Sequence, residues 1–156
     1  MTPVKIIPVT KEEEKLWPSK PLVDLQKPFD DKRGSIQPLV DLMMRSAVMI
    51  ESKAGSLRAN HYHKTDWHYC YVISGEIDYF YKDLGSKKGP EIIKVKKGNM
   101  VFTPPLVEHC MKFPEDTLFL TLSRNPRDQE TYEADVVRVN LVDPSDSISW
   151  KPNDNK

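Results

Sequence analysis

The stretch Gly55-Ser-Leu-Arg-Ala-Asn-His61-Tyr-His63-Lys-Thr-Asp-Trp-His68 holds three of the four histidines in this 156-residue chain. The fourth ends the stretch Gly98-Asn-Met-Val-Phe-Thr-Pro-Pro-Leu-Val-Glu-His109. If the first stretch is extended, His61 and His63 point to the same face of a strand, with Cα atoms roughly 6.6 Å apart at a rise of about 3.3 Å per residue. Two imidazoles at this separation can bind one ion, each at about 2.0–2.1 Å. The pattern predicts a metal site made of His61, His63, His68 and His109.

The composition excludes several classes of partner. Lys and Arg number 23, as do Asp and Glu, so the formal net charge is zero and gives no electrostatic reason to expect nucleic acid or an anionic membrane. No apolar stretch approaches the roughly 20 residues of a membrane span, and the N-terminus lacks the long apolar stretch of a signal peptide. Cys70 and Cys110 are too few for a disulfide framework, which fits a reducing compartment. We therefore expect a cytoplasmic protein.

Short runs rich in Val, Ile, Tyr and Phe alternate with turn signals, and the chain contains 13 prolines. Many short strands at this spacing indicate an all-β sandwich or jelly-roll barrel. Short helices are predicted at Glu12–Leu16 and Asp128–Ala134. The predicted strands are Lys5–Val9, Ser35–Val40, Ala47–Glu51, Leu57–His63, His68–Ile73, Glu76–Lys82, Glu91–Lys96, Asn99–Thr103, His109–Phe113, Thr117–Ser123 and Val136–Leu141.

The length suits a single domain with a substantial core. We expect residues 1–28 to form an N-terminal strand or arm, residues 29–143 the barrel, and residues 144–156 a flexible C-terminal tail. The strand Ser35–Val40 would leave an exposed sheet edge, which favours pairing with a second subunit. A homodimer is therefore expected.

The histidine spacing resembles the two sequence motifs of the cupins, which are small jelly-roll barrels. The first motif is Gly, five residues, His-any-His, three or four residues, Glu, six residues, Gly. Its positions are occupied here by Gly55, His61, His63, His68 (in place of Glu) and Gly75. The second motif is matched by Gly98, Pro104 and His109. The resemblance covers residues 55–113 and implies an all-β fold with a single cupin jelly-roll barrel, a double-stranded β-helix.

Two positions of the second motif differ from the cupin pattern. Leu106 stands where cupins have Gly, which predicts a less tightly turned loop ahead of His109. Phe113 stands where they have Asn. An apolar cavity wall is expected from Val101, Met111 and Leu120.

The replacement of Glu by His68 changes the expected chemistry of the site. Four neutral imidazoles leave a divalent ion with its full charge, so the centre should favour anionic ligands such as an enolate, a carboxylate or hydroxide. The cofactor would be Zn, Fe, Ni, Cu or Mn, and imidazole ligation does not choose among them. Cys70 shares strand parity with His68 and is interpreted as a small core residue facing the cavity, whereas Cys110 is expected outside the barrel.

A second resemblance concerns deoxysugar enzymes of the same fold. Gly55-Ser-Leu-Arg58-Ala-Asn-His61-Tyr resembles the Gly-any-Leu-Arg-Gly-any-His segment of deoxythymidine-diphosphate-sugar 3,5-epimerases. Arg58-Ala-Asn-His61-Tyr-His63-Lys resembles the Arg-Gly-any-His-Ala-His-Lys segment of the 3,4-ketoisomerases. Both groups work without metal, and the resemblance implies that His61 is the base, His63 a partner in proton transfer, and Arg58 a contact to the sugar nucleotide.

The chain departs from those enzymes in two respects, and the position of Arg58 needs a separate explanation. Ala59 stands where they have Gly, and the strand Thr117–Ser123 has no tyrosine to serve as the acid. Arg58 lies three residues before His61, so on a regular strand it would point away from the histidines, towards the surface, unless a bulge turned it inward.

Several functions are compatible with these patterns. The leading hypothesis is a metal-dependent cupin enzyme on a small oxygenated substrate, carbohydrate-derived or a keto/enol acid, in which the ion stabilises a carbonyl or enolate. The alternatives are a metal-free nucleotide-deoxysugar epimerase or ketoisomerase, a ferrous dioxygenase, and a non-catalytic barrel that binds a small ligand or a metal.

Overall fold

Eleven strands and two short helices occur in residues 6–151, the part of the chain that this computed structural model describes. The helices are α1 (Lys11–Glu14) and α2 (Gln129–Asp135). The strands are β1 (Phe29–Asp31), β2 (Gly34–Ile36), β3 (Ser46–Ser52), β4 (Leu57–His63), β5 (His68–Ser74), β6 (Glu76–Asp83), β7 (Glu91–Lys96), β8 (Met100–Thr103), β9 (Val107–Lys112), β10 (Thr117–Ser123) and β11 (Val136–Arg138). No helix among these residues is long and apolar enough to cross a membrane.

Two antiparallel sheets form the barrel, in the orders β3-β10-β5-β8 and β11-β4-β9-β6-β7. Alternation along the strands sends every second side chain inward, as in β10, where Thr117, Phe119, Thr121 and Ser123 are buried and the residues between them are half-buried. The core between the sheets is made of Cys70, Val72, Ile77, Tyr79, Val95, Val101, Met111, Phe113 and Phe119. The predicted all-β architecture is therefore confirmed.

The segment before β3 covers the four-stranded sheet. The N–H of Val23 donates to the carbonyl of Met100 at 2.9 Å, and the N–H of Phe102 donates to that of Pro21 at 2.8 Å, so the edge of β8 is closed by the chain itself. A second apolar cluster lies under this segment and is centred on Trp67, Tyr69, Met100 and Phe102.

Some sequence predictions about the elements are wrong. Residues 6–9 of the predicted strand Lys5–Val9 belong to no strand, and Lys5 lies outside the described residues. The predicted strand Ser35–Val40 is the shorter β2, paired only with β1, and Pro38 cannot donate to a sheet ladder. Of the expected apolar wall, only Met111 lines the cavity, and Val101 lies in the core between the sheets. Leu120 is not part of the wall, because its neighbours Phe119 and Thr121 take the inward positions of β10.

The other predicted strands and both helices are present, with ends shifted by at most three residues. The strand β1 was not predicted. The edge of β2 is shorter than that of the predicted strand Ser35–Val40, so it offers fewer backbone groups for pairing with a second subunit. The homodimer and the domain boundaries both stay predictions. Within the expected tail, Ile148 exchanges backbone hydrogen bonds with Gly55 and Leu57, and residues 152–156 lie outside the described residues.

The loop before His109 turns as tightly as a glycine-containing loop would. Leu106 has φ 63°, in the left-handed region that favours glycine, so the looser turn predicted for Leu106 is wrong. Its N–H donates to the carbonyl of His63 at 2.8 Å, which fixes the loop against the histidine strand.

Gly75 lies between β5 and β6, where the backbone packs closely against Asp116 and Thr117, and its substitution tests that packing. A Cβ there would lie 2.4 Å from both the carbonyl oxygen of Asp116 and Oγ1 of Thr117, and φ is +89°. Gly75→Ala should lower the free energy of unfolding by about 2–5 kcal/mol, since backbone strain and overpacking add. Gly55→Ala is the matched control: its φ is +86° with nothing within 4 Å, so strain alone should cost about 1–2 kcal/mol. Equal losses in urea unfolding would contradict this explanation.

Candidate functional site

A cavity of about 140 Å³ lies between the two sheets, and all four histidines line it. One wall is apolar, formed by Ile50, Met111 and Phe119. Exposed Arg58 and Arg127 mark the side that is open to solvent. The cavity therefore combines an apolar wall, an imidazole wall and a positively charged opening.

The histidines come together because β4 pairs with β9 in a register that sets His61 opposite His109. The ring centroid of His61 lies 4.8 Å from that of His63 and 4.7 Å from that of His109. The nearest ligand atoms of these three residues all lie within 4.8 Å of one another. Three of the four predicted ligands thus form one set.

His68 belongs to a different set. Its ring centroid lies 5.8 Å from that of His63, and the ligand atoms of His63, Asp66 and His68 again lie within 4.8 Å of one another. The structure therefore places all four histidines on one cavity, but as two ligand sets that share His63. Asp66 was not among the predicted site residues.

A bulge in β4 turns Arg58 into the cavity. Ala59 and Asn60 have φ 66° and 65°, and the register against β9 shifts between Ala59 and His61. The extra residue puts Arg58 and His61 on the same side of the strand, so the expectation that Arg58 points away is wrong and the exception for a bulge applies.

Hydrogen bonds hold both arginine and bulge in place. Nε of Arg58 donates to Oγ of Ser52 at 2.7 Å, and its Nη2 donates to the carbonyl of Glu51 at 2.9 Å. The side chain of Asn60 donates to the carbonyl of Val142 and accepts from its N–H. Burial and the nearby Arg127 lower the pKa of Arg58.

Burial favours the neutral form of three cavity histidines, His61, His68 and His109. Burial lowers the pKa of His61 and of His68 well below the usual value, and the neighbouring histidines lower both further. Burial, together with His63, lowers the pKa of His109 to about 3. Neutral imidazoles are the form that accepts a proton or binds a metal.

Outer contacts decide which ring nitrogens face the cavity. Nδ1 of His109 lies 3.0 Å from the carbonyl of Val107, and since a carbonyl only accepts, Nδ1 must carry the proton. Nδ1 of His63 lies 3.3 Å from Oδ2 of Asp135, although the geometry is not that of a good hydrogen bond. Both contacts leave Nε2 as the nitrogen available for chemistry.

Asp135, at the end of α2, organises the turn between β4 and β5. Its Oδ1 accepts the N–H of Thr65 at 2.9 Å and the hydroxyl of Thr65 at 2.6 Å, and its Oδ2 accepts the N–H of Asp66 at 3.0 Å. Burial alone would raise the pKa of Asp135, but His63, Thr65 and Asp66 outweigh it and hold the pKa at about 2. Burial raises the pKa of Asp66 to about 6, and the adjacent Asp135 contributes to the increase.

Two cavity residues of the segment 124–135 were missed at the sequence level. Tyr132 of α2 lies over the histidine strand, with its ring centroid 6.3 Å from that of His61 and 5.5 Å from that of His63. The guanidinium of Arg127 lies 4.7 Å from the centre of the Tyr132 ring. The sequence showed a helix at this point, but no pattern in it places that helix over the barrel.

Four further residues near the cavity have structural contacts or are buried: Cys70, Cys110, Glu108 and Trp67. Cys70 lines the cavity, and burial raises the pKa of its thiol to about 12, which suits a packing role. Cys110 is buried as well. Glu108 forms an ion pair with Lys82 at 3.2 Å, and Trp67 donates from Nε1 to Glu13 at 2.6 Å, as a loop anchor would.

No family model and no curated protein matches the sequence. Solved structures do match. The QdtA 3,4-ketoisomerase from Thermoanaerobacterium thermosaccharolyticum, a double mutant in complex with TDP, is 23% identical, with 75% of this chain and 85% of that chain covered and a TM-score of 0.62. The dTDP-4-dehydrorhamnose 3,5-epimerase from Sulfolobus tokodaii is 17% identical, with 84% and 91% covered and a TM-score of 0.63.

A third similar structure is the RmlC 3,5-epimerase from Legionella pneumophila Philadelphia 1, in complex with dTDP-4-keto-L-rhamnose. It is 16% identical, with 82% of this chain and 81% of that chain covered and a TM-score of 0.63. Identities this low show the fold alone. The chain has the RmlC-like cupin jelly-roll fold, as the resemblance in its sequence predicted.

The lowered histidine pKa values predict how stability depends on pH in chelator-treated protein. Below pH 6.5 the unfolded chain protonates His61, His68 and His109 while the folded chain does not, and Asp66 opposes this by taking up one proton when folded. The unfolded state then binds about two more protons, so the free energy of unfolding should fall by roughly 2–3 kcal/mol per pH unit between pH 6 and 5. Urea unfolding at several pH values measures this slope. His68→Asn should reduce it by about one proton, whereas constant stability down to pH 5 would contradict the neutral cluster.

Proposed function

We propose that this protein is an isomerase that moves a proton next to the carbonyl of a nucleotide-linked ketosugar, as an epimerase or a ketoisomerase. The observation that carries the proposal is the convergence of His61, His63 and Arg58 from one bulged strand on a cavity that Tyr132 covers. The similar structures support the substrate class, since their names give a 3,4-ketoisomerase with TDP and a 3,5-epimerase with dTDP-4-keto-L-rhamnose.

His61 is proposed as the base. It is buried and neutral, and within residues 6–151 its ring nitrogens make no hydrogen bond, so a lone pair is available to accept a proton. Removing a proton from the carbon beside a carbonyl produces an enolate. In an epimerase, a proton is returned to the opposite face of that carbon, which inverts its configuration. In a ketoisomerase, a proton moves between the oxygens of the two neighbouring carbons, and the former carbonyl carbon is then protonated, so that the carbonyl group has moved by one position.

The enolate oxygen requires a hydrogen-bond donor, and Tyr132 is proposed for this role. Burial raises the pKa of Tyr132, so its hydroxyl keeps its proton at neutral pH. His63 is proposed as the partner that relays a proton, because Asp135 lies against its Nδ1 and leaves Nε2 towards the cavity. General acid–base groups placed in this way contribute about 10²–10⁴-fold each to a rate.

The nucleotide is proposed to lie outside the cavity. A volume of about 140 Å³ suits a sugar ring and is well below the roughly 300–1,000 Å³ of sites that enclose larger ligands. Arg58 and Arg127 flank the opening, and neither forms an ion pair within residues 6–151. Two unpaired guanidinium groups at this place suit the diphosphate of a nucleotide sugar.

A second candidate is a metal-dependent reaction at His61, His63 and His109. Three imidazoles whose ligand atoms lie within 4.8 Å of one another fit a divalent ion, after closing by roughly 1.4 Å to the spacing of a tetrahedral site. A bound ion would supply Lewis-acid stabilisation of a carbonyl or enolate oxygen. The two candidates are exclusive at His61, because an imidazole nitrogen that binds the ion cannot also take the proton.

Solvent exchange tests the first candidate. Chelator-treated protein incubated with TDP-4-keto-6-deoxyglucose in D₂O should incorporate deuterium beside the carbonyl and convert the sugar, as followed by mass spectrometry and NMR. His61→Asn should slow exchange at least roughly 100-fold, and Tyr132→Phe should slow conversion by a similar factor. Tyr62→Phe, on the same strand but outside the cavity, is the matched control and should change neither rate.

Two other outcomes decide against this proposal. Loss of exchange after chelation, with recovery when a divalent metal is added, would favour the second candidate. Absence of exchange in both the chelator-treated and the metal-supplemented protein, with any nucleotide-linked ketosugar, would remove both.

A further inference from the structure

The turn between β4 and β5 holds two buried carboxylates, those of Asp66 and Asp135, and within residues 6–151 neither forms an ion pair with a lysine or an arginine. Arg124, which lies nearby, is engaged by the carboxylate of Glu13. Buried carboxylates are normally paired with a cation or bound to a metal, because an unpaired buried charge is costly.

One carboxylate oxygen of this turn remains available to a ligand. Oδ1 of Asp66 accepts the N–H of Asn125 at 2.9 Å, while Oδ2 has no hydrogen-bond partner in the described part of the chain. Asp66 and His68 both line the cavity, and the ring nitrogens of His68 likewise have no partner among residues 6–151. Their nearest ligand atoms and that of His63 lie within 4.8 Å of one another.

We propose that this turn binds a divalent metal ion through His63, Asp66 and His68. Two imidazoles and one carboxylate suit Mn²⁺, Fe²⁺, Co²⁺ or Zn²⁺. The set differs from the histidine set of the cupin motifs, because it adds Asp66 and omits His61 and His109.

The contacts around the turn suit a metal site. Oδ2 of Asp135 lies 3.3 Å from Nδ1 of His63, the side of the ring on which an outer carboxylate orients a metal-binding imidazole, although the two atoms are not hydrogen-bonded. The same carboxylate holds the backbone N–H groups of Thr65 and Asp66, so the turn that presents Asp66 is fixed before any ion arrives. The inference rests on the contacts of the turn and not on the proposed ketosugar reaction. His61 stays free to act as a base, but Nε2 of His63 cannot relay a proton while it binds the ion.

Cobalt binding tests the inference. Chelator-treated full-length chain is titrated with CoCl₂, and calorimetry and visible absorption report the stoichiometry and the affinity. Wild type should bind one Co²⁺ per chain, and Asp66→Asn should weaken binding at least roughly 100-fold, as loss of a ligand does. His61→Asn is the control and should stay within about threefold of wild type, since His61 is outside the set.

A thermal unfolding measurement guards against misfolding of the variant. Without metal, Asp66→Asn should unfold at a higher temperature than wild type, because it removes an unpaired buried charge while its amide oxygen can still accept the N–H of Asn125. The inference is overturned if wild type binds no Co²⁺, if folded Asp66→Asn binds as tightly as wild type, or if His61→Asn loses the ion to the same extent. The deuterium-exchange assay is independent of all three results.

Discussion

The arrangement of the cavity depends on the hydrogen bonds and contacts that the carboxylate of Asp135 makes. This carboxylate is buried at the end of α2, accepts the N–H groups of Thr65 and Asp66 and the hydroxyl of Thr65, and lies against His63. These contacts fasten α2 to the turn that separates His63 from His68. Without them, buried donors would lose their acceptor, which costs about 1–3 kcal/mol for each group.

The same contacts link the two walls of the cavity. Because Asp135 fixes the end of α2, it also determines where Tyr132 lies above His61 and His63. The rings of His61 and His63 therefore lie beside the aromatic ring of Tyr132, which α2 supplies. Since β10 contains no tyrosine, it is α2 that brings Tyr132 to the cavity.

Backbone strain is concentrated next to these residues. Ala59, Asn60 and Leu106 adopt left-handed conformations, and each flanks a strand segment that carries a cavity histidine. A non-glycine residue in this region costs about 1–2 kcal/mol, so the hydrogen bonds of Asn60 to Val142 and of Leu106 to His63 must hold the conformation. The bulge turns Arg58 towards the cavity, and the Leu106 turn delivers His109.

The sequence determined most of the strands, the pairing of the two histidine motifs within one barrel, and the gathering of His61, His63, His68 and His109. Strand alternation and motif spacing are local properties of the sequence. They predict the folded strands correctly because each strand must turn one apolar face to the core. Tertiary structure alone decided the inward position of Arg58, the division of the histidines into two sets that share His63, and the entry of Asp66, Arg127 and Tyr132. Those outcomes depend on one inserted residue in β4 and on where α2 docks, and both are set by contacts between residues far apart in the chain.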